Sequence, residues 1–239
     1  MSTPKQYQQG YTEFYKLKFK VTPDVLIPRP ETELLVDEVL NYCNLYPETC
    51  NLILDLGTGS GNIAISIAKN LALHLGGGSV RGGSVNIIAS DISSKALKVA
   101  KQNAKLHGVE NRINFIQSNL LNRLPHPFGA RNDEDVDIIV TNLPYIPTQR
   151  IPYLDSSVKD FEPHVALDGG EDGFALYRKL FAQIKDKKLK PKLIIGEIDY
   201  THGDVAINEA YNFFPEAEVE IKTDLAHKQR ILKISFLGY

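Results

Sequence analysis

From residue 51 onward the chain alternates short β-rich runs with amphipathic helical patterns, and few architectures satisfy that alternation other than a parallel sheet covered by helices. Strands are expected at 51–55, 86–90, 112–117, 136–141, 192–197, 218–222 and 230–236, with helices at 61–75, 94–107, 174–185 and 201–213. Gly108 stands where a glycine would end the second helix. A short polar stretch separates the last two strands, so they are read as a hairpin-like antiparallel edge. A helix start is expected near Pro30, where proline and the acids Glu31 and Glu33 precede Leu34, Leu35, Val39 and Leu40. The glycine-rich run 76–84 follows a helix rather than preceding one, and reads as a flexible inserted loop rather than a phosphate cradle.

Bulk properties exclude several classes. With 27 Lys+Arg against 29 Asp+Glu, the net charge of −2 over 239 residues does not suit bulk polyanion binding. Two cysteines, Cys43 and Cys50, argue against a disulfide framework and a Cys-based zinc site, and they fit a reducing cytosol. The six histidines, His74, His107, His126, His164, His202 and His227, show no metal-ligand spacing. The first 14 residues lack the apolar core of a signal peptide, and no run approaches a membrane span. A cytoplasmic protein without membrane contact is expected.

Four strand ends carry chemistry. In Ile53-Leu-Asp55-Leu-Gly57-Thr-Gly59-Ser-Gly61-Asn62 an apolar strand runs into a Gly-x-Gly-x-Gly turn and then a helix, so a ligand can approach the backbone closely beside unpaired N–H groups. The dinucleotide fingerprint places its third glycine later, which makes a pyrophosphate the poorer fit. Asp91 ends the next strand, 30 residues beyond Gly61, where a carboxylate can accept both hydroxyls of a ribose; a cap for the helix starting near Ser94 is the plainer alternative. Asn119 ends the third, where its side-chain oxygen could take an adenine amino group or merely shape a turn.

The sharpest signal is Asn142-Leu143-Pro144-Tyr145 at the carboxyl end of a buried strand. The Asn142 carbonyl can accept one N–H of an amide or aromatic amine and the Leu143 backbone carbonyl the other, while Pro144 stiffens the turn and Tyr145 offers a π face. A structural Asn-x-Pro turn with a packed tyrosine is the plainer alternative.

Together these features resemble a class I S-adenosylmethionine-dependent methyltransferase: a Rossmann-like α/β fold with a seven-stranded, mostly parallel sheet. Adding Phe19-Lys-Val21, Leu26-Ile-Pro-Arg-Pro-Glu-Thr-Glu33, Asp160-Phe-Glu-Pro163 and Ala166-Leu-Asp-Gly-Gly170, the chain is similar to the HemK/PrmC family from about Tyr11 onward. That family methylates the side-chain amide nitrogen of the Gly-Gly-Gln glutamine in peptide-chain release factors. The resemblance implies a cofactor held by Gly57, Thr58, Gly59, Ser60, Gly61, Asp91, Asn119, Leu120 and Asn142, leaving S-adenosylhomocysteine as product. It implies a substrate amide on Asn142, Leu143, Pro144 and Tyr145, of which Asn142, Pro144 and Tyr145 would be catalytic, and a release factor as partner. Nucleic acid is not expected except through the ribosome.

The chain departs from the family pattern in three places. Leu143 stands where the family usually has proline, and Asn119 where aspartate is common. Residues 1–30 are expected to be a short extension in place of the family's N-terminal helical domain, ahead of a methyltransferase domain expected at 31–239. Asn-Leu-Pro-Tyr also resembles ribosomal-RNA adenine dimethylases, so an adenine N6-methyltransferase acting on RNA or DNA is the alternative; the near-neutral charge and the Pro-Arg-Pro-Glu-Thr-Glu and Asp-Phe-Glu-Pro segments argue against it. A cofactor-binding subunit that borrows its substrate grip from another chain is the non-enzymatic alternative. Asp160-Phe-Glu-Pro163 is either a lid over the site or a packed loop.

Overall fold

The computed structural model describes residues 3–47, 50–74, 85–124 and 136–236. The glycine-rich run at 76–84 lies outside them, as does His126.

Seven strands make one sheet in the order β5-β4-β3-β6-β7-β9-β8. They are β3 (Leu52–Leu56), β4 (Asn86–Asp91), β5 (Ile113–Gln117), β6 (Ile138–Thr141), β7 (Leu193–Glu197), β8 (Glu218–Thr223) and β9 (Gln229–Ser235). The first five run parallel, and β9 pairs antiparallel with both β7 and β8. All seven expected strands form, and the antiparallel edge is where the pattern placed it. Every residue of β3, β6 and β7 is buried, as it must be when helices cover both faces; the edge strand β8 has no buried residue.

Alternate residues of each central strand feed two cores. Ile53, Val140 and Ile195 face α2 (Glu33–Leu45) and α3 (Asn62–His74), whereas Leu54, Ile139 and Ile194 face α6 (Ala175–Asp186) and α7 (Gly203–Phe213). Helix α4 (Ser94–His107) ends on Gly108 in the left-handed conformation, as expected. Chain order reverses at β3, whose neighbours are β4 on one side and β6 on the other, so a crevice opens beyond the carboxyl ends of β3 and β6.

Residues 5–20, expected to lie in an extension, pack against this body. Helix α1 (Lys5–Gln9) leads into a hairpin of β1 (Tyr11–Phe14) and β2 (Leu17–Lys20), whose Phe14 and Phe19 join the same core as α2 and α3. Asn103 of α4 pins the hairpin's exit by accepting from Lys20 N and donating to Lys20 O, while also donating to Ser60 O at 2.8 Å in the glycine turn. The chain then runs to a single 3-10 turn, Pro30–Thr32, before α2 starts at Glu33. Pro30 therefore opens a 3-10 turn rather than the α-helix itself. Cys43 and Cys50, expected outside any disulfide framework, are joined to each other as one local link at a separation of 7. Among the described residues no helix is long and apolar enough to cross a membrane.

Candidate active site

A cavity of about 210 Å³ opens at the chain reversal. Its wall brings together the turn Gly57–Ser60, Asp91, Asn119, Leu120, Asn142, Leu143 and Pro144, which lie in the sequence at three separate strand ends and the glycine turn. Gly61 and Tyr145 are not among the lining residues. Segments outside the expected set also contribute: Asp24–Leu26, Pro28, Arg29 and Thr32 on one side, Pro163, Val165 and Ala166 on another.

The glycine turn needs its glycines for two different reasons. Gly57 and Gly59 take φ of +73° and +55°, which a side chain would strain. Gly61, also at positive φ, serves packing: a Cβ there would stand 2.8 Å from Ile65 Cδ1 and 3.2 Å from Ala100 Cβ, so glycine lets α3 and α4 approach. Beneath the turn, fully buried Asp55 accepts from the Thr58 hydroxyl at 2.6 Å and the Ala64 amide at 3.2 Å, tying strand, turn and helix together. Burial pushes its carboxyl up to about 7 despite those bonds.

Asp91 is not a helix cap. Ser93 holds that position, accepting from Ala96 N, while Asp91 accepts from Gly59 N at 2.9 Å and Ser93 N at 2.8 Å. Each carboxylate oxygen keeps lone-pair capacity at the cavity wall. Burial raises its pKa, and backbone N–H groups pull it back. Asn119 Oδ1 accepts from Lys179 Nζ at 3.0 Å, a partner on α6 that local sequence could not reveal. Its neighbour Leu120 sits at φ +53°, a left-handed conformation stored at the cavity wall.

At the other end, the Asn142 side chain is tethered by its nitrogen. Nδ2 donates to Thr32 Oγ1 at 3.2 Å and to Glu197 Oε2 at 3.1 Å, leaving the carbonyl oxygen as the group able to meet an occupant of the cavity. Tyr145 donates its hydroxyl to Glu197 Oε1 at 3.0 Å. Burial, then the neighbouring Glu197, raises the phenol pKa, so the hydroxyl stays protonated. Burial likewise raises the pKa of Glu197, opposed by the hydrogen bonds from Thr32 and Tyr145. Leu143, 3% exposed, packs into the core cluster beside Leu56 and Leu54.

Two further motifs support that turn. The Ala166–Gly170 segment docks on it: Ile146 N donates to Leu167 O and Gly169 N to Ile146 O. Arg29 pairs with the buried Glu162, so Asp160-Phe-Glu-Pro163 is a wall fixed to the Pro-Arg-Pro-Glu-Thr-Glu strap. Glu197 and Thr32 are the functional candidates that sequence reasoning missed. The signal for Glu197 existed: like Asp91, it is an acid at the carboxyl end of a buried apolar strand.

The arrangement suits an adenosyl sulfonium: a carboxylate for ribose hydroxyls at Asp91, a turn open to backbone approach, and an acceptor at Asn142 facing the same cavity. Residues 51–195 match a family model described as Methyltransferase domain. Solved structures agree on the fold. One is the ribosomal protein L11 methylase from Lactobacillus delbrueckii subsp. bulgaricus, with a TM-score of 0.55, 20% identity, and coverage of 90% of this chain and 83% of that one. Another is the N-terminal domain of human METTL16 in complex with SAH, with a TM-score of 0.60, 14% identity, and coverage of 94% and 77%. Fold and site thus define a class I methyltransferase. Among curated relatives, the release factor glutamine methyltransferase of Clostridium acetobutylicum is 37% identical over 234 residues, 96% of this chain and 74% of the relative. That of Bacillus cereus is 36% identical over 231 residues, covering 96% and 75%. The chain belongs to the release factor glutamine methyltransferase family.

Proposed function

We propose that this protein transfers a methyl group from S-adenosylmethionine to the side-chain amide nitrogen of the Gly-Gly-Gln glutamine of a peptide-chain release factor, acting in translation termination in the cytoplasm. The observation that carries the reading is the tethered Asn142 carboxamide, whose nitrogen is consumed by Thr32 and Glu197 and whose oxygen is left for the substrate. The relatives' names supply the substrate; they do not favour the adenine N6-methyltransferase alternative.

S-adenosylmethionine supplies an electrophilic methyl group on a positively charged sulfur. Gly57, Thr58, Gly59 and Ser60 would hold its methionine part, Asp91 its ribose, and Asn119 and Leu120 its adenine, with Gly61 setting the turn. Displacement at a methyl carbon demands alignment above all, and an amide nitrogen is a weak nucleophile because its lone pair is delocalised into the carbonyl. Asn142 Oδ1 and the Leu143 carbonyl would accept the two substrate N–H bonds, favouring the pyramidal nitrogen that forms as the bond to carbon develops. Pro144 limits the turn's freedom and Tyr145 anchors it. The surplus proton leaves to water once the nitrogen is methylated.

Mass spectrometry of a release factor incubated with the protein and S-adenosylmethionine tests this. The expected result is a gain of one methyl on the Gly-Gly-Gln glutamine amide; methylation of RNA or DNA adenine without it would overturn the reading.

A further inference from the structure

Glu197 is 1% exposed and makes no direct ion pair among the described residues; the nearest positive charge acting on it, Arg230, is itself paired with Asp224. A buried carboxylate without a counter-ion is a cost to a fold unless donors surround it. Here three side-chain donors do, all from the substrate end of the crevice: Thr32 Oγ1 at 2.6 Å, Asn142 Nδ2 at 3.1 Å and Tyr145 Oη at 3.0 Å. Its main chain is fixed as well, paired with Ile231 of β9 and accepting the buried Tyr177 hydroxyl at 2.6 Å on its carbonyl.

We propose that Glu197 is a positioning residue for the transfer, setting which end of the Asn142 carboxamide faces the substrate. This role rests on Asn142 being the substrate's acceptor, and the protons available around it fix its orientation. A carboxylate only accepts. The Thr32 hydroxyl has one proton and gives it to Glu197, so it too presents a lone pair to Asn142. Both neighbours on that side therefore demand the amide NH₂, and the carbonyl oxygen must turn the other way. A carboxamide rotated by a half-turn would offer donors to the substrate's donors and repel the glutamine. The same carboxylate holds the Tyr145 hydroxyl, so both ends of the Asn142–Tyr145 turn hang on one side chain. Thr32 belongs to this device: although it precedes α2, its side chain makes no capping bond.

The test compares wild type, Glu197→Leu and Glu197→Gln with a release factor and labelled S-adenosylmethionine, reading kcat, KM and, by calorimetry, cofactor affinity and release-factor affinity of the S-adenosylhomocysteine-bound protein. Glu197→Leu is expected to lower kcat about 10²-fold, as a misdirected reacting group does, and to weaken release-factor binding, with cofactor affinity unchanged. Glu197→Gln, whose oxygen can still accept from Thr32 and Asn142, is expected to recover most of that loss. Thr32→Val, removing the bridging hydroxyl, reports on the device should the leucine variant not fold, with an expected loss of roughly tenfold in kcat. Equal kcat and release-factor affinity in all these proteins would overturn the proposal, as would variants that lose cofactor binding in step with kcat. A wild type that binds the cofactor but methylates no glutamine would instead overturn the proposed function, leaving the binding measurement to judge Glu197.

Discussion

Gly169 lies against the Asn142–Tyr145 turn so closely that a Cβ on it would stand 2.7 Å from the Pro144 carbonyl oxygen and 2.8 Å from Tyr145 Cα. Both are backbone atoms, which cannot swing aside as a side-chain tip can. Gly169→Ala should therefore push the turn out of register with the cavity, and displacement of this kind costs about 10²-fold in turnover. Cofactor affinity should fall less than turnover, because the glycine turn and Asp91 are untouched although Asn142, Leu143 and Pro144 line the same cavity. A kinetic comparison with parallel calorimetry decides; wild-type turnover would show that the Ala166–Gly170 segment yields instead.

Removing the acceptor itself gives the most direct result. Asn142→Ala deletes the oxygen proposed to meet the substrate nitrogen and should lower kcat on the order of 10²-fold or more, the usual cost of a missing transition-state partner. Single-turnover kinetics with saturating cofactor isolates this step. Turnover within a few-fold of wild type, roughly the worth of one ordinary hydrogen bond, would remove Asn142 from the reaction.

What the sequence discloses and what it hides divide along physical lines. β3, β6 and β7 announce themselves because full burial makes them continuous apolar runs. The β1–β2 hairpin escaped notice because its turn uses Tyr15 and Lys16 at φ +50° and +59°, without the Asn or Gly that such a turn ordinarily demands. Asn142 was legible as a strand-end residue in a distinctive motif. The orientation of its amide was not, since that depends on Thr32 and Glu197, 110 and 55 residues away along the chain. Asn119 shows the same limit: its type suggests an acceptor, but only the fold brings Lys179 to that oxygen. Gly61 looked like a third ligand-facing glycine, whereas helix packing accounts for it.

Asp91 should govern cofactor affinity rather than turnover. Its two oxygens already accept from Gly59 and Ser93 and have capacity left for ribose hydroxyls. Asp91→Asn replaces one acceptor by a donor and removes the charge; a hydrogen bond to a charged group is worth about 1.5–3 kcal/mol, so affinity should fall about tenfold or more. Isothermal titration with S-adenosylmethionine measures it. Unchanged affinity would mean that the ribose lies elsewhere along the cavity.

The buried Asp55 makes stability depend on pH in a stated direction. Its carboxyl rises from 3.8 to about 7, chiefly through burial, and Oδ1 has no hydrogen-bond partner. In this window the folded state holds a proton that the unfolded state has released, so the native form binds more protons and its stability falls as pH rises. Below about 3.8 both states are protonated and the penalty vanishes; it grows between there and about 7, then levels off. Asp55→Asn cannot ionise: its oxygen can still accept from Thr58 and Ala64, while its NH₂ replaces the unpartnered Oδ1. The variant pays a fixed cost for that buried NH₂ but is free of the titrating one. Thermal melts of both proteins at pH 5 and pH 8 should therefore show the wild type losing ground to the variant at the higher pH. A Tm difference identical at the two pH values would mean that Asp55 keeps an ordinary carboxylate pKa beneath the glycine turn, and that its bonds to Thr58 and Ala64 outweigh its burial.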